Sequence, residues 1–202
     1  MPNSANGGLL LTPPLPTLRL AETRAHPVAL GPVTSHGPQL ERHAMLTGVA
    51  LPLSEIPLDL IAPHNIGPRV HARDGKLEVQ FLFCHGARIL PFIQDGQLRI
   101  ARWGNRRGES RHLPCSGWTW RSTVEAGSWA HCDAAEFVIP ATLGLDKGIW
   151  YRIVGGVRGL LVADEAGLLR VYPVVEPASR WYAVRTNSDW MPCVVVGGTT
   201  GE

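Results

Sequence analysis

Arg102-Trp103-Gly104-Asn105-Arg106-Arg107 runs on to Arg111 and then to Trp118, Thr119, Trp120 and Arg121, placing five arginines and three tryptophans within twenty residues. Guanidinium forks hold phosphate oxygens bidentately, and indole faces stack on unpaired bases. That chemistry makes Arg102, Trp103, Asn105, Arg106, Arg107, Arg111, Trp120 and Arg121 the candidate nucleic-acid contacts. The same residues also fit a solvated arginine loop beside core tryptophans. A formal charge of only +2 gives the chain no general nucleic-acid footprint, so the reading depends on the arginines sharing one face.

A second set of residues with chemical potential is the thiols. Cys84, Cys115, Cys132 and Cys193 show no C-x-x-C spacing, and three lie close to a histidine: Cys84-His85, His112-Leu113-Pro114-Cys115 and His131-Cys132. Thiolate and imidazole are the ligands zinc prefers. Adjacent strand residues, however, point to opposite faces and chelate poorly. The expectation is therefore no metal and no cofactor, with the cysteines serving as small hydrophobes. Cys84 and His85 remain the pair on which a thiol-dependent enzyme would rest.

The elements that must position these groups change in kind along the chain. Eleven of the seventeen prolines fall in residues 1–68, with Gly-Pro pairs at 31–32, 37–38 and 67–68. Such density favours extended, polyproline-like backbone. Residues 1–70 are expected to form a proline-rich extension wrapping the core, with one or two helical turns near Gln39–Leu46 and a loose first ten residues. The same extension is the expected surface for a protein partner or self-association.

From Lys76 onward the pattern is strands and turns. Expected strands are Leu77–Phe83, Ala87–Ile93, Leu98–Trp103, Glu136–Ile139, Gly148–Val154, Val157–Ala163, Leu168–Val175 and a short one at Val194–Val196. Asp95-Gly96 reads as a hairpin turn, and Gly155-Gly156 as another connection. Short helices are expected around Ser122–Ala130 and Ser179–Ala183. The fold class expected is α+β and β-rich: residues 71–202 form one domain of antiparallel, partly barrel-like sheet with a few short helices. An apolar fraction of 45% and a charged fraction of 18% read as globular. No apolar run reaches the ~18–20 residues that span a bilayer, so no membrane partner is expected and the location expected is cytoplasmic.

Four motifs in order resemble a known family. Leu90-Pro91-Phe92-Ile93, Asp95-Gly96 and Leu98 to Gly104 resemble the strand–turn–strand ending in R-W-G of the SOS response-associated peptidase (SRAP) family, the abasic-site processing proteins. Ile139-Pro140-Ala141 with Gly148-Ile149-Trp150-Tyr151 resembles the family's I-P-A-[DN]-G-[FY]-[YF]-E-W segment, with an insertion between the halves. Glu176-Pro177-Ala178-Ser179 resembles its T-P-A-N turn, and Ser188-Asp189-Trp190-Met191-Pro192 its H-D-R-M-P segment. The resemblance spans about residues 88 to 196.

The resemblance implies a β-rich domain with a positive groove for single-stranded DNA. It also implies a site where an N-terminal cysteine forms a thiazolidine with an abasic aldehyde, assisted by an Asn, a Glu and a His. The chain departs from that chemistry. Position 2 is Pro2, Tyr151-Arg152 stand where Glu-Trp would fall, Ser188 replaces the histidine, and Arg121 to Glu125 keeps only the final Glu of N-A-R-A-E. A serine hydroxyl cannot replace an imidazole that exchanges protons near neutrality. Three readings follow. The first is an SRAP-like protein binding single-stranded or abasic DNA without the cross-linking chemistry. The second is a thiol-dependent enzyme built on Cys84 and His85. The third is a phage-associated structural or interaction module.

Overall fold

The computed structural model describes residues 46–195. The expected helical turns at Gln39–Leu46, all but their last residue, and the expected wrapping by residues 1–45 lie outside the described residues. The described chain begins with β1 (Gly48–Pro52), a short helix α1 (Leu58–Ile61), β2 (Val70–Arg73) and β3 (Lys76–Leu82). β4 (Ile89–Gln94) and β5 (Gln97–Trp103) form a hairpin, and a long loop leads to β6 (Thr119–Trp120) and α2 (Arg121–Glu125). Then come β7 (Ala135–Ile139), β8 (Leu143–Asp146), β9 (Ile149–Arg152), β10 (Val157–Ala163), β11 (Leu169–Pro177), α3 (Arg180–Thr186) and β12 (Trp190–Pro192). This is a β-rich α+β domain with few, short helices.

Local chemistry explains where these elements turn and stop. Asp74-Gly75 and Asp95-Gly96 both have positive φ, the two-residue hairpin turn whose twist matches the flanking strands. Helix α3 begins where the Ser179 hydroxyl accepts the Tyr182 amide, and ends where Asn187 turns left-handed. Helix α2 is shorter than the stretch expected from Ser122 to Ala130, ending at Glu125. Val194 makes only an isolated bridge to Val157 in place of the expected last strand.

Two sheets carry the fold. The first is wholly antiparallel in the order β2-β3-β1-β8-β9. In the second, β10, β7, β4, β5 and β11 follow one another, and β11 pairs back onto β10, so five strands close into a ring. The β4–β7 junction is the thinnest point of that ring, with Ile93 opposite Val138. The ring is not purely antiparallel: β11 runs parallel to β5, Arg170 facing Arg102, and parallel to β6, Val175 facing Trp120.

β11 is the axis of the arrangement and is buried from Arg170 to Val175. Its Pro173 would be excluded from a central strand for want of an N–H. The Val171 carbonyl accepts Gly104 N–H on the β5 side, so odd-numbered residues direct their backbone groups to that edge. Pro173 therefore falls in the gap between β5, which pairs at 170–171, and β6, which pairs at 174–175. Residues 104–118 bridge that gap.

One core spans both sheets. Val49, Leu51, Val79 and Phe81 of the first pack in the same cluster as Leu90, Phe92, Trp103, Ile139, Val157 and Val171 of the second. The boundary expected at residue 70 is thus displaced: β1, in the middle of the first sheet, lies before it. The proline count obscured a five-residue strand whose Val49, Ala50 and Leu51 are fully buried.

Candidate functional site

The loop between β5 and β6 is built from the inside by residues that the sequence offered as surface contacts. Trp103 is buried, its indole N–H donating to the Gly117 carbonyl at 2.7 Å, with the Phe83 ring edge-on at 5.1 Å. Gly104 has φ 62°, and a Cβ there would sit 2.7 Å from Gly117 Cα and against the Ser116 carbonyl, so only glycine fits. Asn105 is also buried. Its amide donates to the Ser110 and Leu113 carbonyls at 3.0 and 2.9 Å, and its oxygen accepts the Ser110 N–H at 3.1 Å. Trp103 and Asn105 are therefore corrected from contacts to scaffold: their polar atoms are already spent on the loop.

Around that scaffold the arginines converge on one carboxylate. Glu109 accepts from Arg170 at 2.8 Å, Arg102 at 3.2 Å, Arg88 at 3.5 Å and the Arg106 backbone N–H at 3.0 Å. Arg170 is almost fully buried, also grips Asp164 at 2.9 Å and donates to the Gly104 carbonyl at 3.1 Å. Arg88 is buried beside them with its guanidinium over the Phe83 ring at 4.7 Å. Burial lowers its pKa, and the nearby Arg106 lowers it further. For Glu109, burial acts upward, but the Arg106 N–H and the Arg170 hydrogen bond outweigh it and hold the carboxyl below its ordinary value.

Arg106, Arg107 and Arg111 stand exposed on the same loop, and among the described residues their guanidinium groups form no ion pair. Their engagement is through the backbone: the Arg106 N–H donates to Glu109, and the Arg111 N–H to Glu165, whose other oxygen takes the Ser110 hydroxyl at 2.6 Å. Six arginines (88, 102, 106, 107, 111 and 170) here meet Glu109, Asp164 and Glu165, a local surplus of three against +2 for the entire chain.

Trp120 and Arg121 belong elsewhere. They follow the far end of β11, where Trp120 pairs opposite Val175, five residues beyond the Arg102–Arg170 pair. At ~3.3 Å per residue that is roughly 17 Å of strand. Trp120 packs on Trp190 at 4.4 Å, and Arg121 is held by Glu125 at 2.7 Å and Glu176 at 2.8 Å. The arginine end therefore has no open indole: Trp103 and Trp118 are both buried. The exposed tryptophan is Trp181 on α3, beside Val184 and Ile149.

The structure also gathers residues that the sequence does not mark as a site. Tyr151, Tyr182, Asp146 and Ser188 are all buried, and the Tyr182 hydroxyl donates to Asp146 at 2.9 Å while the Tyr151 and Tyr182 rings meet edge-on at 5.1 Å. Tyr151 lies across Gly144 so closely that a Cβ there would fall 2.5 Å from its ring carbon and hydroxyl. Among the described residues, the buried side-chain oxygens without a hydrogen-bond partner are Asp146 Oδ1, Tyr151 OH and Ser188 Oγ, all in this cluster. Two of these residues, Tyr151 and Ser188, occupy the positions where the family resemblance would place the glutamate and the histidine. The cluster offers hydroxyls and one carboxyl, and no imidazole.

Burial pushes the Asp146 carboxyl up, and the nearby Ser188 and Tyr182 hydroxyls offset only part of the rise. A raised folded-state value means that the folded protein holds this proton more tightly than the unfolded chain. The resulting stability is complete below the ordinary value of 3.8 and is lost as pH climbs through the folded-state value. In denaturant melts from pH 3.5 upward, Asp146→Asn should lack this decline. Its stability relative to the native chain should therefore improve as pH rises. A difference that does not vary with pH would remove the titration from the account.

Cys84 is exposed, and the neighbouring His85 Nδ1 is taken by Arg69 at 3.1 Å. Burial and the Arg69 charge lower the His85 pKa. That imidazole is thus committed to an arginine that itself anchors the Ala87 carbonyl at 2.5 Å. Among the described residues, no three His, Cys, Asp or Glu side chains converge as a metal site would require, and no helix is long and apolar enough to cross a membrane. No family model matches the chain, and no curated protein or solved structure matches it either.

Arg88, Glu109, Asp164 and Arg170 were missed from sequence. A usable signal was present: Arg170 interrupts the apolar run Leu168–Val175, and an arginine inside a buried strand demands a carboxylate nearby.

Proposed function

We propose that the protein binds the phosphate backbone of single-stranded DNA at the arginine end of the ring. Arg102, Arg106, Arg107 and Arg111 are the contacting side chains, and the interface lacks the cross-linking chemistry of the SRAP family. The observation that carries this reading is the local excess of three positive charges gathered around the β5–β6 loop, with three of the loop's arginines exposed and unpaired among the described residues. Binding through phosphates alone is sequence-independent and weakens with salt, because releasing counterions into a saltier solution gains less entropy. The choice of a single strand rests on the resemblance of Leu98 to Gly104 to the family's R-W-G strand. The loss of chemistry is supported by Tyr151 and Ser188, whose hydroxyls do not take up a proton near neutrality as an imidazole does.

Replacing Arg106 and Arg107 together by alanine removes two exposed charges from a loop whose fold depends on neither. Single-strand affinity should fall uniformly across sequences, and the slope of log K against log salt should flatten by about 1.4, at roughly 0.7 per phosphate contact. The check is a set of fluorescence anisotropy titrations at four salt concentrations. An unchanged slope would move the interface off this loop.

A further inference from the structure

Glu109 is an unusual occupant of its own surroundings. Three guanidinium groups and one backbone N–H meet at a single carboxylate on an exposed turn, closed by the Glu109 N–H to the Arg106 carbonyl at 3.0 Å. Donors so arranged, charged and converging on oxygens, also suit a phosphate group. Arg170 has a second carboxylate in Asp164, whereas Arg88 is buried and, among the described residues, its one ion-pair contact is the long one to Glu109 at 3.5 Å. The seat is thus richer in cations than its carboxylates neutralise. The side chain of Glu109 remains 26% exposed, so it can swing out without unpacking the core.

We infer that Glu109 is a tethered stand-in for phosphate, and that a nucleic-acid phosphate enters the seat of Arg88, Arg102 and Arg170 only by displacing it. This deepens the DNA-binding reading and rests on it: the exposed arginines make the encounter, and the seat beneath is held shut by an internal anion. The carboxylate lowers affinity for any strand, because a bound phosphate must compete with a group at high effective concentration. It also raises selectivity against weakly charged ligands, which gain too little from the seat to expel it.

The test compares binding of a dT12 oligonucleotide by the native chain, Glu109→Gln and Glu136→Gln, with inorganic phosphate as a second probe read by thermal melting. Glu136 pairs with Arg158 on β10 and supplies the same change of net charge away from the seat. Glu109→Gln should bind dT12 about tenfold more tightly with a steeper salt slope, and should melt higher in millimolar phosphate. Glu136→Gln and the native chain should show neither effect.

Equal gains in both variants, or a folded Glu109→Gln that binds no better than the native chain, would overturn the inference while leaving DNA binding in place. If no protein binds dT12 but Glu109→Gln alone responds to phosphate, the seat stands and the DNA reading falls; without the phosphate response both fall. Should Glu109→Gln not fold, Glu109→Asp, one methylene short of the arginines, should show an intermediate gain. Affinity equal to the native chain's would then overturn the inference.

Discussion

Arg170→Met should destabilise the protein by about 3–5 kcal/mol, the usual cost of removing one partner from a buried ion pair. Arg170 is buried at the start of β11 and satisfies three acceptors at once: Asp164, Glu109 and the Gly104 carbonyl. Methionine fills similar space, so little of the loss comes from packing. What remains is Asp164, itself buried, facing a site without its counter-charge. The Ala166 and Leu168 amides still donate to the other Asp164 oxygen, which keeps the turn but cannot neutralise it. For a domain of this size the loss corresponds to a fall in Tm of roughly 10 °C. Urea denaturation checks the free energy directly, and a change under about 1 kcal/mol would show that Arg170 is not the electrostatic keystone of the ring.

The second large effect is Trp103→Ala, for which a loss of about 3–5 kcal/mol is expected. The indole occupies the heart of the core shared by the two sheets, 1% exposed, and its N–H is the donor for Gly117. Truncation leaves a cavity beside Phe83 and a buried carbonyl without a partner, and the two costs add. The result also separates two roles for the same residue. A stacking platform would lose DNA affinity and keep its stability; a core tryptophan loses stability, and any affinity change follows the unfolding. Differential scanning calorimetry together with binding measured well below the melting range distinguishes them.

How far the fold could be read in advance depended on whether burial left a mark on local sequence. β3, β4, β5, β7, β10 and β11 announce themselves as apolar runs bounded by turn and breaker residues (acid–glycine turns at 74–75, 95–96 and 164–167, a proline after β7), and each forms within two residues of its expected limits. β1 was hidden because it ends at Pro52 inside a proline-dense stretch, where breaker residues outweighed Val49-Ala50-Leu51. β8 was hidden by its composition: Leu143-Gly144-Leu145-Asp146 contains a glycine needed to seat Tyr151 and an aspartate buried by tertiary contacts. Neither reason is visible within four residues.

The site was legible in the same partial way. An arginine-rich loop could be located, but side-chain direction could not. Arg106 and Arg107 face solvent, while Asn105 beside them is the internal staple. The hub around Glu109 joins residues 21 and 61 positions away in sequence, and only folding brings Arg88 and Arg170 to it. The Tyr151–Tyr182–Asp146–Ser188 cluster is equally non-local, its hydrogen bond closing 36 residues of chain.

We propose that this arginine face binds single-stranded DNA through its phosphates and forms no covalent product with it. The most direct measurement is a fluorescence titration with two single-stranded oligonucleotides, one intact and one carrying an abasic site. It is run at low and moderate salt, and every sample is then loaded on a denaturing gel. The account predicts binding of both strands with similar affinity, marked weakening at moderate salt and no gel-stable adduct. An absence of binding at low salt would contradict the DNA reading, and an adduct confined to the abasic strand would contradict the loss of chemistry.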